Sequence, residues 1–254
     1  TRLAKHKGEF MDSVLLPIIN GAMKVPGVKV NREEFLEKEL KGKVPDKMIE
    51  DALVYGTKKA GIPLELIEKM AKNTINSKAL LTVTASFLSG MPGGLIGLLG
   101  GSSADVIQYY ANFFNLAQKL MYLYGYQDIN ELDSSQEDVM IVVLGVASGV
   151  EVANAFLKKV LNETAVKLQE KAIANQGSKI IANQVLIILG KKSATRISEE
   201  QIAKIFGKAV PIIGGLISGI ISASTFKPMA KRLNKSLKEF YTYNSYSDES
   251  NIFV

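Results

Sequence analysis

This chain of 254 residues contains no cysteine and a single histidine, His6. Without cysteine it has no disulfide, no thiolate metal site and no cysteine nucleophile. One histidine is too few for a zinc site or for a catalytic triad built on histidine. Because His6 lies between Lys5 and Lys7 near the start of the chain, we interpret it as a surface residue. The absence of cysteine also fits a reducing compartment.

Nucleotide-binding motifs are absent as well. The sequence has no Gly-x-x-x-x-Gly-Lys-Ser/Thr run, and the glycines of residues 90–94 do not follow a predicted strand. Paired carboxylates at 33–34 and 199–200 lie at predicted helix starts, where acids interact favourably with the helix dipole. The sequence therefore predicts no catalytic residues, no cofactor and no metal site, and we interpret the chain as a protein that is not an enzyme.

Strand signals are scarce, whereas helix signals are common. Asn31 with Glu34 has the spacing of a capping box, and Pro45 suits the first turn of a helix that would end against Gly61. Apolar spacing predicts a long helix from Ser102 to Tyr124, which Gly125 ends. The sequence also predicts helices over 139–161, 178–189 and 198–206, and a basic helix after 226.

The fold class that follows is all-α, a compact multi-helix bundle with apolar, glycine-rich central helices. No Pro/Ser/Gly linker divides the chain, and the polar, acidic stretch 127–138 is predicted to be a loop. We therefore predict a single domain, with an N-terminal helix and arm over 1–30, a helical core over 31–243 and a loose tail over 244–254.

Two windows without charged residues lie within this core, at 79–104 and 209–226. Each is marginally long enough to span a bilayer, but Pro92 interrupts the first, which we interpret as two short helices meeting near 90–94. Both windows carry small residues four apart, a spacing that lets helix backbones approach closely in a membrane or in a tightly packed core. The sequence leaves both interpretations open. The glycines concerned are Gly93, Gly97, Gly101, Gly215 and Gly219.

A basic segment follows the second window, with five cations and one acid, Glu239, between residues 227 and 240. Cations beside an apolar helix are attracted to anionic lipid, by on the order of 1 kcal/mol each. The same spacing also suits the solvated outer face of a final helix, so two interpretations stand here too. The candidate membrane or lipid contacts are Lys227, Lys231, Arg232, Lys235 and Lys238.

Asp105 is a further candidate, because it follows a glycine-rich stretch and begins an aromatic helix. It is either a polar anchor for a ligand or the third helical residue of a capping box. The aromatic residues between 109 and 126 fit either an interfacial belt or a packed core.

The order of these segments resembles the EcsC family, helical bacterial proteins named for a gene beside an ABC-transporter pair. The first matching run is Gly-Leu-Leu-Gly-Gly-Ser-Ser-Ala-Asp at 97–105, followed by an apolar helix that ends in Leu-Tyr-Gly-Tyr at 123–126. The second is Val-Pro-Ile-Ile-Gly-Gly-Leu-Ile-Ser-Gly at 210–219, and the third is Ala-Lys-Arg at 230–232. Ser103 replaces a usual proline, and Ser218 replaces a usual glycine.

This resemblance brings no established reaction, and implies a membrane-associated or apolar-ligand-handling role, sometimes linked to transport or secretion. The leading hypothesis is a non-enzymatic, membrane-associated or lipid-interacting accessory protein in the cytoplasm, peripheral to or inserted in the inner face of the cell membrane. Its expected partner is an anionic membrane surface or an apolar ligand. A net charge of +6 is too mild to predict nucleic-acid binding. The alternatives are a soluble module that binds a protein partner, immunity or chaperone-like, and a pore-forming effector.

Overall fold

The structure is a computed structural model, and it describes residues 15–89, 103–126, 136–162, 180–182, 184–185 and 223–249. Within these ranges the regular secondary structure is entirely α-helical, which confirms the predicted all-α fold class. The longer helices, in chain order, are α1 (15–23), α2 (Arg32–Leu40), α3 (Asp46–Tyr55), α4 (Leu64–Ser89), α5 (Ser103–Leu123), α6 (Gln136–Ser148), α7 (Glu151–Asn162) and α8 (Ala223–Glu249).

Helix α5 lies at the centre of the fold. Its side chains from Tyr109 to Leu123 are buried, except for the partly buried Asn112 and Lys119. It packs against α2, α4 and α8, and buried side chains from all of these helices form one apolar cluster. The aromatic residues of α5 are therefore core residues, which favours the second of the two interpretations given for them.

Two buried polar side chains of α5 hold the segment between α1 and α2. Gln118 accepts a hydrogen bond from the backbone N–H of Val30 (3.2 Å) and donates one to the carbonyl of Val28 (2.9 Å). Asn115 donates to the carbonyls of Gly27 (2.9 Å) and Val28 (3.3 Å). These bonds satisfy backbone groups that burial would otherwise leave without partners, so α5 fixes the path of this connection.

A second junction joins the end of α3 to the end of α5, where Gly56 and Gly125 meet with φ values of +86° and +82°. A Cβ atom on Gly56 would lie only 2.6 Å from the carbonyl oxygen of Gly125, so this approach requires glycine. The Thr57 hydroxyl donates to the carbonyl of Leu123 (2.8 Å), and Gly56 also ends α3. The prediction that this helix continues to Gly61 was therefore wrong.

The guanidinium of Arg32 covers the same junction. It donates to the carbonyls of Ala52 (3.0 Å) and Leu53 (2.7 Å) in the last turn of α3, and to the carbonyl of Tyr126 (3.1 Å) after α5. A positive charge at helix ends also interacts favourably with the helix dipoles. One side chain thus ties together the C-terminal ends of two helices.

The predicted helix 139–161 is in fact two helices, α6 and α7, separated at Gly149 with φ +87°. The apolar period continues across the break, which is why the sequence pattern did not show it. The turn lets α7 fold back on α6, and Gly145 permits the approach, since a Cβ there would overlap Ile181 and Ala153.

Several predicted boundaries agree with the structure. The side chain of Asn31 accepts a hydrogen bond from the backbone N–H of Glu34 (3.0 Å) and caps α2, and α5 ends before Gly125 as predicted. The first of the two short helices expected in the uncharged window is instead the C-terminal part of α4, which runs unbroken to Ser89.

At the end of the chain, α8 continues to Glu249, so residues 244–249 are helical and not part of a loose tail. An established helix gains one hydrogen bond for each residue it adds, so a polar sequence continues it readily. Gln136 to Asp138 likewise form the first turn of α6 and not the end of a loop. The predicted helix 198–206 lies outside the described residues, as does most of 178–189.

The Gly56–Gly125 contact gives a prediction on stability. Gly56→Ala should lower the free energy of unfolding by about 3–5 kcal/mol, because backbone strain and overpacking contribute about 1–3 kcal/mol each. The matched control is Gly149→Ala, which has nearly the same φ but no atom of the described residues within 4 Å of its new Cβ. It should lose only about 1–2 kcal/mol. Urea unfolding measures both, and equal losses would contradict a requirement for the close approach.

Candidate functional site

The candidate site is the outer face of α8, which carries the five cations identified from the sequence. The structure brings them onto one helix, with Lys227, Lys231, Arg232 and Lys235 exposed and Lys238 half-buried. The opposite side of α8 is buried in the core. It presents Phe226, Met229, Ala230, Leu233, Ser236, Leu237 and Tyr241.

Aromatic contacts hold the buried side of α8 against α5. The ring of Phe226 packs edge-on against Tyr109 and Phe113, with ring centroids 5.7 and 6.0 Å apart. The Tyr109 hydroxyl also donates to the sulfur of Met229 (3.7 Å). The apolar side of α8 is therefore already occupied within the protein, and between Phe226 and Thr242, where its side chains are described, the charged side faces outward.

Arg232 differs from the other cations, because its guanidinium donates to the carbonyl of Ala147 (3.1 Å) in the last turn of α6. One turn later, the Ser236 hydroxyl donates to the side-chain oxygen of Asn154 on α7 (2.9 Å). These two contacts tie α8 to α6 and α7. Arg232 consequently has a structural role that the sequence pattern did not reveal, since its partner lies 85 residues away.

Two of the lysines form ion pairs. Lys235 Nζ lies 3.7 Å from a carboxylate oxygen of Glu239 on the same helix, and Lys238 pairs with Glu68 on α4. Pairs this exposed contribute little, typically below about 1 kcal/mol. Among the described residues, no carboxylate lies within ion-pair distance of Lys227 or Lys231. The least neutralised positive charge thus lies in the first half of α8.

A tyrosine pair that the sequence analysis missed lies beside Lys238. The Tyr124 hydroxyl donates to the side-chain oxygen of Asn234 (3.1 Å), and the rings of Tyr124 and Tyr241 are 5.9 Å apart. The ammonium of Lys58 lies 5.8 Å from the Tyr241 ring centroid. Their spacing places Asn234 and Tyr241 on one helical face, and this was the only sign of the contact in the sequence. It did not indicate which helix the two residues would face.

Burial shifts the acidity of both tyrosines. It raises the pKa of Tyr241 from its ordinary value of 10.0 to about 12. Burial is also the main reason why the pKa of Tyr124 is raised, and the nearby negative charge of Glu68 adds to it. Both hydroxyls therefore keep their protons to a higher pH than an ordinary tyrosine does.

The structure does not describe the side chains of the other predicted site residues. Gly93, Gly97, Gly101, Gly215 and Gly219 lie outside the described residues. Asp105 is the third residue of α5, the position that a capping-box carboxylate occupies, and its side chain is not among those described.

In the ranges that the structure describes, there is no cluster of three or more His, Asp or Glu side chains that could bind a metal. Of the helices described, none is both long enough and apolar enough to cross a membrane. The window 209–226 lies outside the described residues, except for the first turn of α8.

Comparison with protein-family models, with curated proteins and with solved structures finds no match to this chain. Membership in the EcsC family therefore stays a prediction, based on the three sequence runs alone. What the geometry defines is an amphipathic final helix whose apolar side is in the core and whose outer side is basic.

The raised pKa of Tyr241 predicts a loss of stability at high pH. An unfolded chain releases the tyrosine proton near pH 10, whereas the folded chain keeps it until about pH 12, so deprotonation favours unfolding between these values. Tyr241→Phe removes this contribution. Its unfolding free energy should therefore fall less steeply than that of the unmodified protein from about pH 9 to about pH 11.5.

The control is Tyr55→Phe, which also removes one tyrosine hydroxyl but takes it from an exposed side chain. Urea unfolding at each pH gives the slopes. A Tyr241→Phe slope equal to that of the unmodified protein would show that the Tyr241 hydroxyl does not titrate late.

Proposed function

We propose that this protein is a non-enzymatic accessory protein that docks peripherally on an anionic membrane surface through the outer face of α8. The observation that carries the proposal is the division of α8 into a side packed in the core and a side with exposed cations. A helix anchored in this way presents its charges in fixed positions, so no ordering of the helix is required when it meets a surface.

The spacing of the cations suits a plane of negative charge. Lys227 and Lys238 are eleven positions apart on the helix, or about 16 Å, which is wider than a single headgroup. At physiological ionic strength the attraction acts over about 8 Å, so an exposed face of this length senses several anionic lipids together. Four exposed cations and the partly exposed Lys238 therefore act as one electrostatic surface.

Peripheral docking agrees better with this geometry than insertion of α8. To insert, the helix would have to withdraw Phe226 and Leu237 from the core, where they are fully buried. Full burial of such a side chain is worth about 1.5–3 kcal/mol, and withdrawal would also break the contacts of Arg232 and Ser236. The resemblance to the EcsC family supports the same membrane-associated role, and we place the protein at the anionic inner face of the cell membrane.

The test is co-sedimentation with vesicles of phosphatidylcholine, with and without phosphatidylglycerol. The unmodified protein should sediment only with the anionic vesicles, and added salt should weaken its binding. Lys227, Lys231 and Lys235 are the positions to change to Glu, because they are exposed and form no hydrogen bond or ion pair with another described helix. This triple variant should bind at least about a hundredfold more weakly, given roughly 1 kcal/mol per cation.

The matched control changes Lys24, Lys29 and Lys41 to Glu. These lysines are also exposed, but they lie outside α8, so the net charge falls equally while the outer face of α8 stays intact. The control should keep most of the binding. An equal loss in both variants would show that net charge alone determines binding, and recovery of the unmodified protein in every supernatant would favour the protein-partner alternative.

A further inference from the structure

Most of the cations of α8 lie toward one flank of the helix. A stripe with successive spacings of four, three and four residues consists of Lys227, Lys231, Asn234 and Lys238. Lys238 forms its ion pair with Glu68 on α4. This stripe therefore lies on the flank of α8 that faces α4.

The opposite flank of α8 is covered by other helices. Arg232 and Ser236 are four residues apart, and they bond to Ala147 of α6 and Asn154 of α7. The two flanks thus have different neighbours. On the flank beside α4, the side chains of Lys227 and Lys231 are exposed.

Helix α4 runs antiparallel to α8 along this flank. α5 and α8 run in the same direction, because Tyr109 in the first half of α5 contacts the start of α8, whereas Tyr124 after its end contacts Asn234. α4 packs against both helices and begins near the end of α5. The residues of α4 that follow Glu68 therefore lie beside the residues of α8 that precede Lys238.

Lys72 adds a positive charge on the α4 side of this boundary. It lies four residues after Glu68, which places it on the same stripe of α4, one turn further toward Lys231. Its side chain is exposed, and no carboxylate among the described residues lies within ion-pair distance of it. We name Lys72, Lys227 and Lys231 the lysine strip.

Neither helix places a carboxylate along the lysine strip. After Glu68, α4 contains no Asp or Glu as far as Ser89, and α8 contains none before Glu239. Glu65 lies one turn before Glu68, away from the strip. The acids of the two helices are thus at the Lys238 end of the boundary or beyond it, and the rest of the boundary is complementary to a negative surface.

We propose that the lysine strip is the centre of the contact with the anionic bilayer, and that Lys72 binds headgroups together with the lysines of α8. This inference rests on the proposed function and moves the contact from α8 alone to the boundary between two helices. Packed helices lie about 8–10 Å apart, and charges act over about 8 Å at physiological ionic strength. Cations on both helices therefore act together over an area, which fits a plane of anionic headgroups.

The first test is co-sedimentation of Lys72→Gln with vesicles of phosphatidylcholine and phosphatidylglycerol. Loss of one headgroup contact should weaken binding about fivefold. The matched control is Lys41→Gln, because Lys41 is also exposed but lies at the end of α2. The control makes the same change in net charge and should weaken binding less than about twofold.

The second test follows the surface itself and leaves the lysines in place. The chain has no cysteine, so Asn76→Cys introduces a unique thiol one turn beyond Lys72, where the side chain is exposed. The thiol is labelled with nitrobenzoxadiazole, whose emission rises when it leaves water. The control is Ala155→Cys, since Ala155 is exposed on α7, next to the residue that covers the opposite flank of α8. On addition of the same vesicles, emission should rise more at position 76 than at position 155.

The outcomes separate this inference from the function it rests on. If the protein binds anionic vesicles but Lys72→Gln weakens binding no more than Lys41→Gln, or the labels at 76 and 155 respond alike, the lysine strip is not the centre of the contact, while docking through α8 stands. If the unmodified protein binds no vesicle, both proposals fail.

Discussion

The fold depends on burying α5 on nearly every side. A helix in this position has no solvent to hydrogen-bond with, so its polar side chains must find partners inside the protein. Gln118 and the amide nitrogen of Asn115 do so by binding the backbone between α1 and α2, and Tyr124 does so by bonding to Asn234. The side-chain oxygen of Asn115 has no hydrogen-bond partner among the described residues. The neighbouring helices are therefore positioned by α5 through both apolar packing and a few directed hydrogen bonds.

The burial of α5 also explains how the residues of α8 are arranged. Its apolar residues cover α5, and its cations lie on the outer side because burying a charge costs free energy. Arg232 and Lys238 bond to groups on α6 and α4, so they help to hold the helix in place, whereas Lys227 and Lys231 are left to the surface. Arg232 and Lys238 thus contribute both to stability and to surface charge, whereas we expect Lys227 and Lys231 to contribute to surface charge alone.

Much of the helical fold could be predicted from the sequence, because caps and apolar spacing are local signals. Asn31 began α2 and Gly125 ended α5 as expected. The helix breaks at Gly56 and Gly149 could not be recognised, since a glycine within an apolar period does not show that its φ is positive. At Gly56 the helix ends where the backbone contacts Gly125, which is far along the chain. For the candidate site, spacing predicted that the lysines share a face. It could not show that Arg232 bonds to α6 or that Tyr124 meets Tyr241, because these pairings depend on how the helices are arranged.

The junction around Gly56 also has a consequence for how the chain folds. Thr57 bonds to Leu123 across 66 residues, and Arg32 bonds to Tyr126 across 94. Closing loops of this length is entropically costly, so these contacts can form only after α4 and α5 have come together. We expect them to form after the folding transition state, and contacts of that kind act mainly by slowing unfolding. We therefore expect the junction to govern how long the native state persists more than how quickly it is reached.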